Sequence, residues 1–298
     1  MATFRPAHAV ALLVAAAATA CSIDVHSSES SVREEKRFTL AGGGPAELDL
    51  RTFDGTIQVR SWDRNEVLVE IERRGSSQSV AEALDVEASQ EGNRVVVEAR
   101  QPRGQRDGFT VGWTRESVNL TVTAPRRASL EARTGDGGID VDDLEGTVGL
   151  NSGDGRIHAS RVSGRIRART GDGSIAIDEA AGQVDADSGD GSIEIAGRLD
   201  ELNLRTGDGG VRVDLSGGSV MKSDWRVTTG DGNIRIRVPD SFNADVDAYS
   251  GDGRVRVEGL PAGDDRDEDA RRTVQGRLGS GGHTLHLRSG DGSIEVTR

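Results

Sequence analysis

Aromatic side chains are scarce in this chain, and cysteine is almost absent. Of 298 residues, 3% are aromatic and Cys21 is the single cysteine. A lone thiol cannot make an internal disulfide, so a disulfide-stapled scaffold is excluded. Apolar residues supply 34% of the chain, and the longest run, Ala9 to Ala18, is too short to span a bilayer as a helix. There is no Gly-x-Ser-x-Gly nucleophile elbow and no phosphate loop ending in Lys. Positive charge is also in deficit. The formal charge is −13, which repels nucleic acid and anionic lipid headgroups and sets nucleic acid aside as a partner.

What the chain has in excess is glycine, 40 residues of it, nearly twice the usual share. That composition fits a Gly-punctuated all-β repeat protein, not a helical one.

The N-terminus reads as an export signal. Arg5 precedes the apolar run, and small residues lead to Cys21. Ala18-Thr19-Ala20-Cys21 resembles the bacterial lipobox, although Leu is usual where Ala18 stands. Residues 1–20 are thus expected to be a lipoprotein signal peptide, with Cys21 as the lipid attachment site and the membrane reached through that anchor. Ser22 after the cysteine, by resemblance to Gram-negative lipoproteins, favours the outer membrane. The competing reading is an ordinary cleaved signal with an incidental thiol. Residues 21–37, polar and without periodicity, read as a flexible tether.

Internal repeats organise the rest. Gly-Asp-Gly occurs with its acid at Asp136, Asp154, Asp172, Asp190, Asp208, Asp231, Asp252 and Asp291, and the first four intervals are all eighteen residues. A degenerate copy stands at Asp54. Each copy follows Ser or Thr and precedes alternating apolar residues such as Ile175/Ile177, Val184/Ala186 and Ile193/Ile195. Period-two alternation means strands with one buried face, two per unit.

These strands of about four to six residues are too short for an outer-membrane barrel. An antiparallel meander is harder to exclude, because Asp-Gly is also a hairpin signal. A meander needs a cover for its apolar face, and the repeats hold no long amphipathic helix. The expectation is therefore an all-β, single-chain parallel β-solenoid with 18-residue coils, right-handed as parallel crossovers usually are.

Residues 126–298 form the Gly-Asp-Gly repeat region, after a boundary near Pro125. Residues 38–125 share the β idiom less regularly, with one short helix expected within SVAEALDVEAS. Trp62, Phe109 and Trp113 lie there, so this part is expected to cap the solenoid. The acidic stretch Gly263–Arg272 reads as a solvated loop, and the last strand, Ser293–Val296, as an open edge.

On these SGDGSIEV-type repeats, the irregular strands before them and the lipoprotein-like leader, the chain resembles the bacterial putative-adhesin family of β-strand-repeat domains of unknown function. The resemblance runs from about Phe38 to Arg298. It implies a β-helix-like fold, a cell-envelope location and adhesive or envelope-associated roles, and it brings no catalytic residue.

The repeated Gly-Asp-Gly is either a corner or a site. As a corner, Gly supplies positive φ and Asp accepts hydrogen bonds from backbone amides. Stacked carboxylates roughly 5 Å apart repel by about 0.8 kcal/mol in water, so either Ca²⁺ or nearby arginines should offset them. The calcium nonapeptide is absent, and DADSGDGSIEIA has Gly189 where an EF-hand loop wants an acid, Asp190 where it wants Gly and Ala196 where it wants Glu. Arg133, Arg169, Arg205 and Arg288 stand three residues before four of the acids, so the aspartates are read as structural turn residues, with no metal and no cofactor.

His283 and His286 should point to opposite faces of a strand, and His158 is isolated. Outward residues four after each Asp include Arg212, Arg235 and Arg256, a positive stretch suited to an anionic glycan or an envelope protein. The expected function is a non-enzymatic envelope lipoprotein presenting its surface for adhesion, scaffolding or sensing. The alternatives are a polysaccharide-active β-helix enzyme and a Ca-binding repeat protein.

Overall fold

A computed structural model of the chain describes residues 30–42, 44–100, 116–260 and 272–298. The expected signal peptide, Cys21, Phe109, Trp113 and the acidic run Asp264–Asp269 lie outside these residues.

The fold is all-β. The first strands are β1 (Ser30–Thr39), β2 (Ala46–Arg51), β3 (Ile57–Trp62) and β4 (Glu66–Gly75). Helix α1 (Gln78–Ala83) overlaps the start of the stretch expected to hold a short helix, and Ser77 caps it by accepting from the Val80 amide at 3.3 Å. Then follow β5 (Asp85–Glu91), β6 (Arg94–Arg100) and β7 (Ser117–Pro125). The repeats contribute β8 (Ala128–Thr134), β9 (Ile139–Asp142), β10 (Glu145–Ser152), β11 (Ile157–Ser160) and β12 (Ser163–Thr170). They continue with β13 (Ile175–Ser188), β14 (Ile193–Thr206), β15 (Val211–Leu215), β16 (Trp225–Thr229) and β17 (Ile234–Arg237). The chain closes with β18 (Ala244–Ser250), β19 (Val255–Val257), β20 (Thr273–Leu278), β21 (Thr284–Ser289) and β22 (Ile294–Thr297). Among the described residues all 22 strands join one sheet.

Residues 30–37, expected in the tether, belong instead to β1, which pairs antiparallel with β4 along its whole length. Arg73 reaches Glu34 at 2.6 Å, and Arg33 reaches Glu72 at 2.9 Å. Polar composition by itself points to a linker. A strand whose partner supplies matching charges can be as polar as this one.

In the repeats, alternation becomes burial. Ala128, Leu130, Ala132 and Thr134 of β8 turn inward while Glu131 and Arg133 turn out. The same rows meet across parallel pairs: Leu130 faces Val148, Val148 faces Ile166, Ile166 faces Val184 and Val184 faces Leu202. A second column runs Ile139, Ile157, Ile175, Ile193, Val211. Each step joins residues eighteen apart in sequence. From Val211 to Ile234 the step is twenty-three, and the stretch between β15 and β16 takes up the extra residues. The buried apolar side chains of the strands form one continuous hydrophobic cluster.

Strand order departs from chain order at both ends. β2 lies between β6 and β8, and β3 between β7 and β9. The sheet thus runs unbroken across Pro125. At the other end β21 lies between β16 and β18, and β22 between β17 and β19. The expected open edge at Ser293–Val296 is therefore corrected: β22 is hydrogen-bonded on both sides. Antiparallel strands cover the ends, with β4 on β7, β5 on β6 and β20 on β18.

The corner opposite Gly-Asp-Gly turns through left-handed backbone at Asp143, Arg161 and Glu179, with φ of 61°, 54° and 54°. The next residues, Leu144, Val162 and Ala180, are buried. The turn is what drives them inward, at the strain a non-glycine pays there.

Candidate functional site

The eight Gly-Asp-Gly corners stack along one edge of the sheet. Their glycines are not there for positive φ, since none of these glycines adopts it. They are there because backbones approach closely. A methyl group on Gly155 would sit 2.0 Å from the carbonyl oxygen of Gly137, and one on Gly173 would sit 2.1 Å from that of Gly155. The first glycines form a hydrogen-bond ladder, with the amides of Gly153, Gly171, Gly189 and Gly207 each donating to the preceding corner's glycine carbonyl at 2.5–2.6 Å.

The turn is closed by a residue whose role sequence reasoning missed. Ser152 Oγ accepts from the Gly155 amide at 2.9 Å and donates to the Gly137 carbonyl at 2.8 Å. Ser188, Thr229, Ser250 and Ser289 repeat both bonds in their own corners. Thr170 and Thr206 make the donated bond at 2.9 and 2.8 Å. All these hydroxyl residues are buried. The signal was visible: a Ser or Thr stands two residues before every repeated Asp. Only a hydroxyl both donates and accepts at that reach, so the position tolerates Ser and Thr alike.

The aspartates themselves, Asp136, Asp154, Asp172, Asp190, Asp208, Asp231, Asp252 and Asp291, are all exposed. They do not close the turn. Asp252 lies 3.5 Å from Arg272. The arginines expected to neutralise them have other partners or none among the described residues. Arg133 pairs with Glu131 at 2.7 Å and Arg288 with Asp247. No group of three or more metal-ligating side chains occurs among the described residues.

The two flanks of the sheet carry rows of outward side chains. On the flank of β9, β11, β15, β17, β22 and β19, the expected positive stretch is broken. Arg212 is beside Arg235, but Glu295 stands between Arg235 and Arg256. Glu295 comes within 3.9 Å of Arg235. The break follows from the insertion of β22 between β17 and β19.

On the other flank, His283 and His286 stay on the solvent side. His283 precedes the first residue of β21, so strand alternation does not govern it. It lies 3.5 Å from Asp224, whereas His286 Nδ1 lies 3.2 Å from Asp247. Burial alone would raise the Asp247 carboxyl, but hydrogen bonds from Arg288, Gln275 and His286 outweigh it and hold it below the usual carboxylate range. Asp224 is lowered first by the Thr284 amide that donates to it. His158, on the opposite flank, comes within 3.8 Å of Asp178.

Beside β12 and β13 this flank has a cavity of about 330 Å³ lined by Arg165, Arg167, Gln183, Asp185, Asn203 and Asp224, among others. Arg165 donates to Gln183 at 2.7 Å and Asn203 to Asp185 at 3.0 Å. Of the 37 basic residues in the chain, only Lys36 and Lys222 are lysines. Guanidinium groups, planar and suited to bidentate pairing, therefore dominate its positive surface.

No curated protein matches the chain. Among solved structures, a "putative adhesin" from Bacteroides fragilis is similar at 10% identity and a TM-score of 0.44, over 89% of this chain and 96% of that one. A "putative lipid binding protein" from Parabacteroides distasonis is similar at 12% identity and 0.42, over 89% and 97%. A "putative cell adhesion protein" from Clostridium sporogenes is similar at 14% identity and 0.31, over 90% and 99%. Residues 46–297 match the profile of the Toastrack family, DUF4097, and the chain belongs to that family.

Proposed function

We propose that this chain is a non-enzymatic lipoprotein of the cell envelope, wound as a right-handed parallel β-solenoid with eighteen-residue coils, whose flanks serve adhesion or scaffolding. The observation that carries the reading is the parallel register of the repeats. Partners eighteen residues apart superpose from Leu130 to Leu202. That register turns a short repeat into long straight rows of exposed side chains on a rigid body.

Two further observations support it. Trp225 and Phe242 pack on each other inside the core with ring centroids 5.6 Å apart, so they serve stability rather than a sugar-cleaving cleft. The hydroxyl ladder consumes the Ser and Thr side chains of the corners, leaving them no nucleophilic role. Cys21 carries the lipid in this reading, Ser22 directs the protein to the outer membrane, and no cofactor is required.

Fractionation of cells expressing the full chain and a Cys21→Ala variant tests the anchor. The wild type should sediment with the outer membrane and the variant should be released; a wild type that stays soluble overturns it. Purified protein should also bind envelope fractions saturably and leave polysaccharides uncleaved. Measurable turnover would move the chain to the enzyme class.

A further inference from the structure

We infer that the flank bearing β8, β10, β12 and β16 binds a linear acidic polysaccharide carrying one carboxylate per disaccharide. This inference rests on the adhesion reading above and names the partner of that surface.

Consider the outward residue just before each buried Ser or Thr of the corners. Hydrogen-bonded register places them in the order Arg133, Asn151, Arg169, Asp187, Arg205, Thr228, Arg288, Tyr249. Within this row, from Arg133 to Arg288, every second position is a guanidinium, and Asn151, Asp187 and Thr228 stand between them. Chain order hides this, because Tyr249 precedes Arg288 in sequence; the insertion of β21 restores the alternation. Neighbouring strands are about 4.8 Å apart, so these cations recur roughly every 9–10 Å along a straight line. A linear glycan with an acid on alternate sugars repeats on the same scale.

The residues between the arginines sharpen the choice. A polymer charged at every unit would set half its anions against Asn151, Asp187 and Thr228, and Asp187 repels them. The exposed corner aspartates lie three residues beyond the row and oppose dense polyanions such as nucleic acid. A sparse polyanion avoids both penalties. Arg169 and Arg205 are exposed, and neither has an ion-pair partner among the described residues, so both keep their donors for a ligand carboxylate. Next to them, the cavity edged by Gln183, Asp185 and Asn203 offers amide and carboxylate groups that suit sugar hydroxyls.

The test titrates the mature full-length protein with four probes: an alternating glucuronate–N-acetylglucosamine oligosaccharide, an oligogalacturonate of equal length, neutral dextran and a polyglutamate peptide. The alternating probe should bind best, and more weakly as salt rises. An Arg169→Glu/Arg205→Glu variant should lose about tenfold or more in affinity, and Arg169→Gln/Arg205→Gln should show the same direction should the first variant fold poorly. Asp187→Arg should raise affinity for oligogalacturonate. Arg212→Glu/Arg235→Glu/Arg256→Glu, on the opposite flank, should change nothing. Equal binding by the double variant, a preference for oligogalacturonate in the wild type, or tighter capture of a polyglutamate peptide overturns the inference. Envelope binding that persists while every glycan probe fails removes this inference alone; loss of both removes the adhesion reading as well.

Discussion

The hydroxyl of Ser188 donates to the carbonyl of Gly173, 2.9 Å away and fifteen residues earlier in the chain. The same oxygen accepts from the Gly191 amide at 3.0 Å. One buried atom thus closes its own corner and fastens it to the corner before.

Ser188→Ala removes both bonds and deprives the half-buried Gly173 carbonyl and Gly191 amide of this partner. The expected loss is about 1–3 kcal/mol of unfolding free energy, read from urea denaturation. Ser188→Thr should stay within about 1 kcal/mol of wild type, because Thr already holds the equivalent position at Thr170 and Thr206. Equal losses for Ala and Thr would assign the effect to packing and not to the hydroxyl.

Gly173→Ala forces a methyl to within 2.1 Å of the Gly155 carbonyl oxygen and 2.8 Å of Thr170 Oγ1, and the Gly155 backbone cannot yield. It should cost about 3 kcal/mol or more, or prevent folding. Gly217→Ala is the control, since a methyl there meets nothing within 4 Å. A thermal melt of both variants checks the contrast.

The corner aspartates should be expendable for folding. Asp172 is exposed and sits in a column of like charges, so Asp172→Asn should stay within about 0.5 kcal/mol of wild type and lean toward greater stability. Any gain should shrink as salt rises and screens the column. A large loss in calcium-free buffer, restored by calcium, would instead make the column a metal site.

Asp247 sets an acid limit on the C-terminal end. Its folded pKa lies below its unfolded value. The stability it contributes is therefore complete above the unfolded value and is lost as pH falls through the folded one. Asp247→Asn leaves Arg288 without its carboxylate and should cost about 1–2 kcal/mol at neutral pH. The difference from wild type should narrow on acidification. Melting temperatures measured from neutral pH down through the carboxylate range would show a constant difference if this assignment were wrong.

Much of this was legible in residue order. The inward positions of β13, such as Ile175 and Ile177, could be read because strand burial repeats every two residues whatever lies beside the strand. The Gly-Asp-Gly corners could be located for the same local reason, although not explained. Close approach of Gly155 to Gly137 is a relation between separate strands, and no single copy of the motif expresses it. Residues 30–37 look like a linker in sequence because their polarity is satisfied only by β4, more than thirty residues onward.

Amino-acid order by itself determined the strands of the repeats, their period of eighteen and their burial phase, because each depends on neighbours along the chain. Which arginine stands beside which residue was decided only by tertiary pairing. Arg288 enters between Thr228 and Tyr249, and Glu295 between Arg235 and Arg256, because β21 and β22 return to occupy positions between strands laid down earlier. Hydrogen bonding between strands is indifferent to the order in which they were synthesised. The surface pattern therefore follows from spatial adjacency, which residue order alone does not specify.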